Sequence, residues 1–77
     1  MVYGTDWCPQ TVRAKRFLSG RGATFRWCNI EKDPVGCAYV EKVNGGKRSV
    51  PTILFPDGSI LVEPTDADLD KQLSRLP

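Results

Sequence analysis

Residues 3–11 read Tyr-Gly-Thr-Asp-Trp-Cys-Pro-Gln-Thr, YGTDWCPQT in one-letter form. Met1-Val2-Tyr3 is short, apolar and β-prone, and Gly4-Thr5-Asp6 breaks it. Pro9 then suits the first position of a helix, where the missing N–H would be unpaired in any case. That places Cys8 at the N-cap, facing unpaired N–H groups and the positive pole of the helix dipole. Such a setting can lower a thiol pKa from ~8.5 to between about 3.5 and 7.5 and so maintain the nucleophilic thiolate at neutral pH. Asp6 would oppose that ionisation if it lay close. The bland alternative is a small apolar residue ending a strand, and the choice between the two decides whether the protein is an enzyme.

Working outward, Val12, Phe17 and Leu18 recur at helical spacing, with Arg13, Lys15 and Arg16 on the wet side and Gly20 and Gly22 as the stop. The pattern predicts a helix over 9–20. Residues 24–30 form an aromatic and branched strand. Asp33-Pro34 repeats the start signal, and Val35, Tyr39, Val40 and Val43 are the expected buried side of a second helix ending at Asn44-Gly45-Gly46. Residues 49–55 read as a strand with Pro51 near its beginning, Pro56-Asp57-Gly58-Ser59 as a hairpin turn, and Ile60-Leu61-Val62 as the partner strand. Thr65-Asp66-Ala67-Asp68 has the form of a capping box, and Leu69, Leu73 and Leu76 stripe a terminal helix. The order β-α-β-α-β-β-α, with one right-handed parallel crossover and one antiparallel hairpin, specifies an α/β fold: a four-stranded mixed sheet with three helices on its two faces.

The chain has 77 residues, enough for one domain with a small core. No apolar run approaches the ~20 residues of a membrane span. The N-terminus shows no basic segment followed by an apolar stretch, which favours the cytoplasm. Residues 1–56 hold nine Lys/Arg against four Asp/Glu, and residues 57–77 two against five. A net charge of +2 gives no argument for nucleic acid. Three cysteines, Cys8, Cys28 and Cys37, with no histidine, point away from a disulfide framework, a zinc site and a Cys–His pair. Cys28 and Cys37 read as small residues in or near the core, placed away from Cys8. Trp7 reads as a hydrophobic flank of Cys8, and Trp27 as a packed or edge-strand residue.

The segments YGTDWCPQT, VNGGKRSVPTILFPDGS and VEPTDADL resemble the glutaredoxins of the thioredoxin-like fold, especially the actinobacterial mycoredoxins, over nearly the whole chain. The resemblance implies a thiol–disulfide oxidoreductase with Cys8 as its catalytic nucleophile and Trp7, Pro9, Gln10 and Thr11 as the rest of its motif. It implies a cis bond before Pro51, a feature of only ~5–6% of X–Pro bonds and therefore not read from propensity. Val50 would then offer a free backbone edge to a small thiol. Arg48, Val50 and Pro51 would form the thiol-binding residues, with Lys47 and Arg48 near enough to attract a carboxylate.

Two departures refine that expectation. Many relatives carry a second cysteine three residues after the first, where this chain has Thr11, so no disulfide between positions 8 and 11 can form. What remains is a monothiol cycle, with the Thr11 hydroxyl able to donate toward the sulfur. Leu61-Val62-Glu63-Pro64 lacks the glycine pair that commonly holds the glutathione carboxylate, and Thr5 stands where a lysine often does. Both agree with the mycoredoxin pattern and favour mycothiol or another bacterial thiol over glutathione. The expected partners are a low-molecular-weight thiol and protein mixed disulfides, with no permanently bound cofactor, no metal, no nucleic acid, no membrane, and a monomeric state. The alternatives are an iron–sulfur cluster carrier of the monothiol type and a redox-silent binding module of the same fold.

Overall fold

A computed structural model describes residues 1–75. Its elements run β1 (Val2–Gly4), α1 (Pro9–Gly20), β2 (Trp27–Asn29), α2 (Pro34–Val43), β3 (Thr52–Leu54), β4 (Ile60–Val62) and α3 (Asp66–Arg75). Among the described residues the sheet order is β2-β1-β3-β4, with β1 parallel to β2 and the β1–β3 and β3–β4 pairs antiparallel. This is the α/β arrangement expected from the order of elements, a four-stranded mixed sheet with three helices.

The strands alternate between two cores. Val2 and Ile53 pack with Ala14, Leu18, Phe55 and Leu69, so α1 and α3 cover one face. Tyr3 and Val50 pack with Ile30, Cys37 and Val40, so α2 covers the other. The Tyr3 and Tyr39 rings stack there with centroids 4.9 Å apart.

Several boundaries and faces differ from the sequence pattern. β2 begins at Trp27 rather than Thr24: the ladder opens where Val2 pairs with Trp27 and donates its N–H to the Arg26 carbonyl at 2.8 Å. β3 begins at Thr52 because the chain turns at Ser49, whose carbonyl accepts from Thr52 Oγ1 at 2.7 Å. Val12 and Val35, both expected in buried stripes, are exposed, Val35 at 80%. The buried stripe of α1 is instead Thr11, Ala14 and Leu18, and that of α2 is Gly36, Cys37 and Val40. Gly36 sets the second of these. A Cβ there would collide with Cys28 Sγ, so the absence of a side chain brings α2 close to β2 and rotates Val35 outward.

The turns follow the residues. Asp57 accepts from Ser59 N–H at 3.0 Å, and Gly58 takes φ +89°, a left-handed value that glycine reaches without a Cβ clash. The capping box forms: Thr65 N–H donates to Asp68 Oδ2 and Asp68 N–H to Thr65 Oγ1. Gln72, which sequence pattern left unmarked, is buried and donates to Asp57 Oδ2 and Ser59 Oγ, tying α3 to the β3–β4 turn. Arg21 pairs with Asp70 and joins the end of α1 to α3. Leu76, the last residue of the expected stripe, lies outside the described residues.

Candidate active site

Cys8 is the N-cap of α1, with extended backbone (φ −80°, ψ 118°) and Pro9 behind it in the first turn. Its carbonyl starts the helix by accepting from Val12 N–H at 3.1 Å. Cys8 is only 9% exposed. Burial pushes this thiol pKa up. The N–H and hydroxyl of Thr11 and the N–H of Gln10 pull it down further than that, and Glu63 pushes back, leaving it below the ordinary thiol value. No capping bond to the sulfur is closed in this geometry. Attraction between an anion and helix N–H dipoles acts without bond-length contact. The carboxylate that opposes ionisation is Glu63, whereas Asp6 accepts from Asn29 Nδ2 at 3.1 Å.

Thr11 sits at the third helical position, fully buried, and its hydroxyl has no partner among the described residues. Beneath it lies Gly4, where a Cβ would fall 2.6 Å from Thr11 Cγ2 and 2.7 Å from Thr11 Oγ1. Gly4 is thus the seat on which the cysteine helix rests. The Thr5 hydroxyl, also buried, is likewise unpartnered.

The Val50–Pro51 bond is cis. Tyr3 pairs with Thr52, so the next residues along the two strands are Gly4 and Pro51. Val50 joins Thr5, Trp7, Ile30, Glu31, Cys37 and Arg48 around a pocket of about 240 Å³, whose wall includes Trp7, the chain neighbour of Cys8, and not Cys8 itself. Trp7 is 69% exposed and donates from Nε1 to Glu31 at 2.8 Å, which holds the indole as one wall. Arg48 reaches the pocket but is already paired with Glu41, Nε to Oε1 at 3.7 Å. Lys47 is exposed and does not line it. Pro9 and Gln10 are exposed on the solvent side of the helix start. A second pocket of about 290 Å³, lined mostly by apolar residues such as Leu18, Phe25, Phe55 and Leu73, holds no cysteine.

All three cysteines are free. Cys28 is buried against Gly36, its S–H directed at Asp33 Oδ2 at 3.4 Å; burial and that carboxylate raise its pKa. Cys37 is buried near Glu41, and burial first and then Glu41 raise it too. Its place on the wall of the pocket shared with Trp7 and Val50 was not legible in the sequence, since it depends on how α2 crosses the sheet. Trp27 is on the edge strand and also packs, with Lys15 Nζ 3.7 Å above its ring.

A buried cysteine of lowered pKa capping the first helix just after the first strand, in a sheet whose third strand follows a cis-proline, is the arrangement of a thiol–disulfide oxidoreductase of thioredoxin-like fold. The glutaredoxin family model matches residues 1–60. A protein of Mycobacterium tuberculosis strain H37Rv that carries the name glutaredoxin is 33% identical over 75 residues, covering 97% of this chain and 89% of that protein. Mycoredoxin 1 of Corynebacterium glutamicum is 29% identical over 97% of this chain and 92% of its own length. The chain belongs to the glutaredoxin family. That family exchanges thiols and disulfides with a low-molecular-weight thiol as electron donor.

Proposed function

We propose that this protein is a monothiol, mycoredoxin-like glutaredoxin that reduces mixed disulfides between proteins and a low-molecular-weight thiol through Cys8. The observation that carries the reading is Cys8 at the uncapped start of α1, its pKa held below the ordinary thiol value, with Thr11 where a second cysteine could stand.

In the first step the Cys8 thiolate attacks the small-thiol sulfur of the mixed disulfide. A Cys8–S–S–R bond forms, the protein's S–S bond breaks, and the protein thiolate leaves and takes up a proton from solvent. In the second step a further small thiolate attacks the R sulfur, forming R–S–S–R and returning Cys8 as thiolate. The leaving Cys8 anion is received by the N–H groups of Gln10 and Thr11 and by the Thr11 hydroxyl. The pocket of Trp7, Thr5, Val50 and Arg48 accommodates the small-thiol group, with the backbone at Val50 and Pro51 as its edge.

The small thiol is mycothiol by this reading, with glutathione the weaker donor; similarity to mycoredoxin 1 supports that order. The protein acts as a cytoplasmic monomer, a setting in which three unpaired thiols stay reduced. Turnover of a protein–mycothiol mixed disulfide with mycothiol, and of the glutathione equivalent with glutathione, tests the assignment. Wild type turns over both, mycothiol faster, and Cys8→Ser neither. Equal rates for wild type and Cys8→Ser refute it.

A further inference from the structure

The site has two unlike flanks. On the β2 side lies the pocket already described. On the β4 side the sheet register carries Gly4, Pro51 and Glu63 into one row: Tyr3 pairs with Thr52 and Thr52 with Val62, and the next step is closed by Glu63 N–H donating to the Pro51 carbonyl at 2.8 Å. Glu63 is therefore clipped to the cis-proline loop.

Its backbone is unusual. Glu63 takes φ +50°, and among the described residues it is the one non-glycine with positive φ. Glycine or asparagine would occupy that conformation at lower cost. The glutamate brings an exposed carboxylate to the rim, and that charge is felt at the Cys8 sulfur, where it works against the thiolate. The neighbouring start of α3 carries Lys71 within reach of Asp68, which draws on that cation itself. Thr65 and Asp68 satisfy each other there, and Asp66 adds a further negative charge.

We propose that Glu63 is a specificity-determining residue that selects the electron-donor thiol by charge, admitting thiols that are neutral or amine-bearing beside the sulfur and rejecting those that present a carboxylate on the β4 flank. This rests on Cys8 being the nucleophile. The exchange is the second step above: the donor thiolate attacks the R sulfur of Cys8–S–S–R, and Cys8 leaves as thiolate. Only the charge on the donor's side group differs between donors, and Glu63 acts on that difference.

Three thiols of similar size probe it: cysteamine, 2-mercaptoethanol and 3-mercaptopropionate, each reducing the same uncharged mixed disulfide and compared at equal thiolate concentration. Wild type should rank them in that order by kcat/KM. In Glu63→Gln the cysteamine-to-mercaptopropionate ratio should fall about 3- to 10-fold, as expected for one partly screened charge near the reacting pair. The wild-type ratio should also collapse near ~1 M salt, where the Debye length is about 3 Å. Glu63→Gly keeps the left-handed backbone without the charge and should reproduce the glutamine variant, which guards against a folding effect. A ratio unchanged in both variants overturns the proposal. So does an equal change for all three donors, which would confine Glu63 to tuning Cys8. A folded wild type inactive with all three refutes the nucleophile assignment, and this inference with it.

Discussion

Cys8 and Cys28 are buried to nearly the same degree, 9% and 8% exposed, and each lies against the N-terminus of a helix. Their pKa values move in opposite directions. The difference is what caps the helix. α1 has no side-chain cap other than the cysteine's own position, so its free N–H groups act on the sulfur. α2 is capped by Asp33, which accepts from Val35 and Gly36 N–H at 3.0 and 3.1 Å, and Cys28 meets the carboxylate instead of the amides. A helix N-terminus therefore activates a thiol only where the thiol itself is the cap. Proximity alone, through a capping acid, has the reverse effect.

The comparison breaks most sharply at the sulfur atoms. Cys8→Ser should reduce disulfide exchange by at least ~100-fold, since a hydroxyl is far weaker than a thiolate as nucleophile. Cys28→Ser should keep most of the activity. Comparable losses in the two, measured as initial rates of mixed-disulfide reduction, would erase the distinction.

The next largest effect is on stability. Gly36→Ala places a methyl into Cys28 Sγ, and overpacking of this kind costs about 1–3 kcal/mol. Denaturant unfolding should show the loss, and Cys28→Ala in the same chain should recover much of it. Absence of recovery would mean that the sulfur is not what sets the approach of α2.

Thr11→Val separates activation from folding. The valine keeps the shape and removes a buried, unpartnered hydroxyl, so stability should hold or rise by about 1 kcal/mol. The Cys8 titration midpoint should move up, since one group favouring the thiolate is gone. Thiolate absorbance near 240 nm against pH reads the midpoint; a fall, or no movement, would remove the hydroxyl from the account. The sign for wild type is fixed by its depressed pKa. Rates rise with pH as thiolate forms, reaching their plateau at lower pH than an unperturbed thiol would allow.

Asp33→Asn gives the smallest effect and sharpens the other side. Its amide still caps α2, but the carboxylate no longer opposes Cys28 ionisation, so the Cys28 midpoint should fall. Hydrogen bonds from Gly36, Cys28 and Val35 hold the Asp33 pKa down. The stability it contributes is therefore present above the ordinary carboxylate range and is lost as pH falls through the folded-state value. Wild type and variant should converge in melting temperature at acid pH, and a gap that widens there would reverse the assignment.

Much of this was readable from residue order. Cys8-Pro9 and Asp33-Pro34 both mark helix starts, and both helices begin there, because proline and N-cap chemistry act over a few neighbouring residues. The hairpin at Asp57-Gly58 follows for the same reason. What the pattern misassigned depends on crossing distances between elements. Val12 and Val35 look like core residues, yet the helices are seated through Thr11 on Gly4 and through Gly36 on Cys28. Polar or side-chain-free contacts carry no hydrophobic signature. At the site, Cys8 and the Pro51 loop were legible as motifs. The Cys37 wall of the Trp7–Val50 pocket and the Glu63 charge acting on Cys8 were not, since both come about only through sheet register and helix crossing.

Gly4 offers Thr11 nothing but hydrogen, so the spacing between the first strand and the cysteine helix is fixed by main-chain atoms and one rotamer. The two apolar interiors can consequently exchange one aliphatic residue for another over evolutionary time without moving the sulfur. Divergent relatives would be expected to vary freely in those layers and to hold position 4 small wherever position 11 is branched.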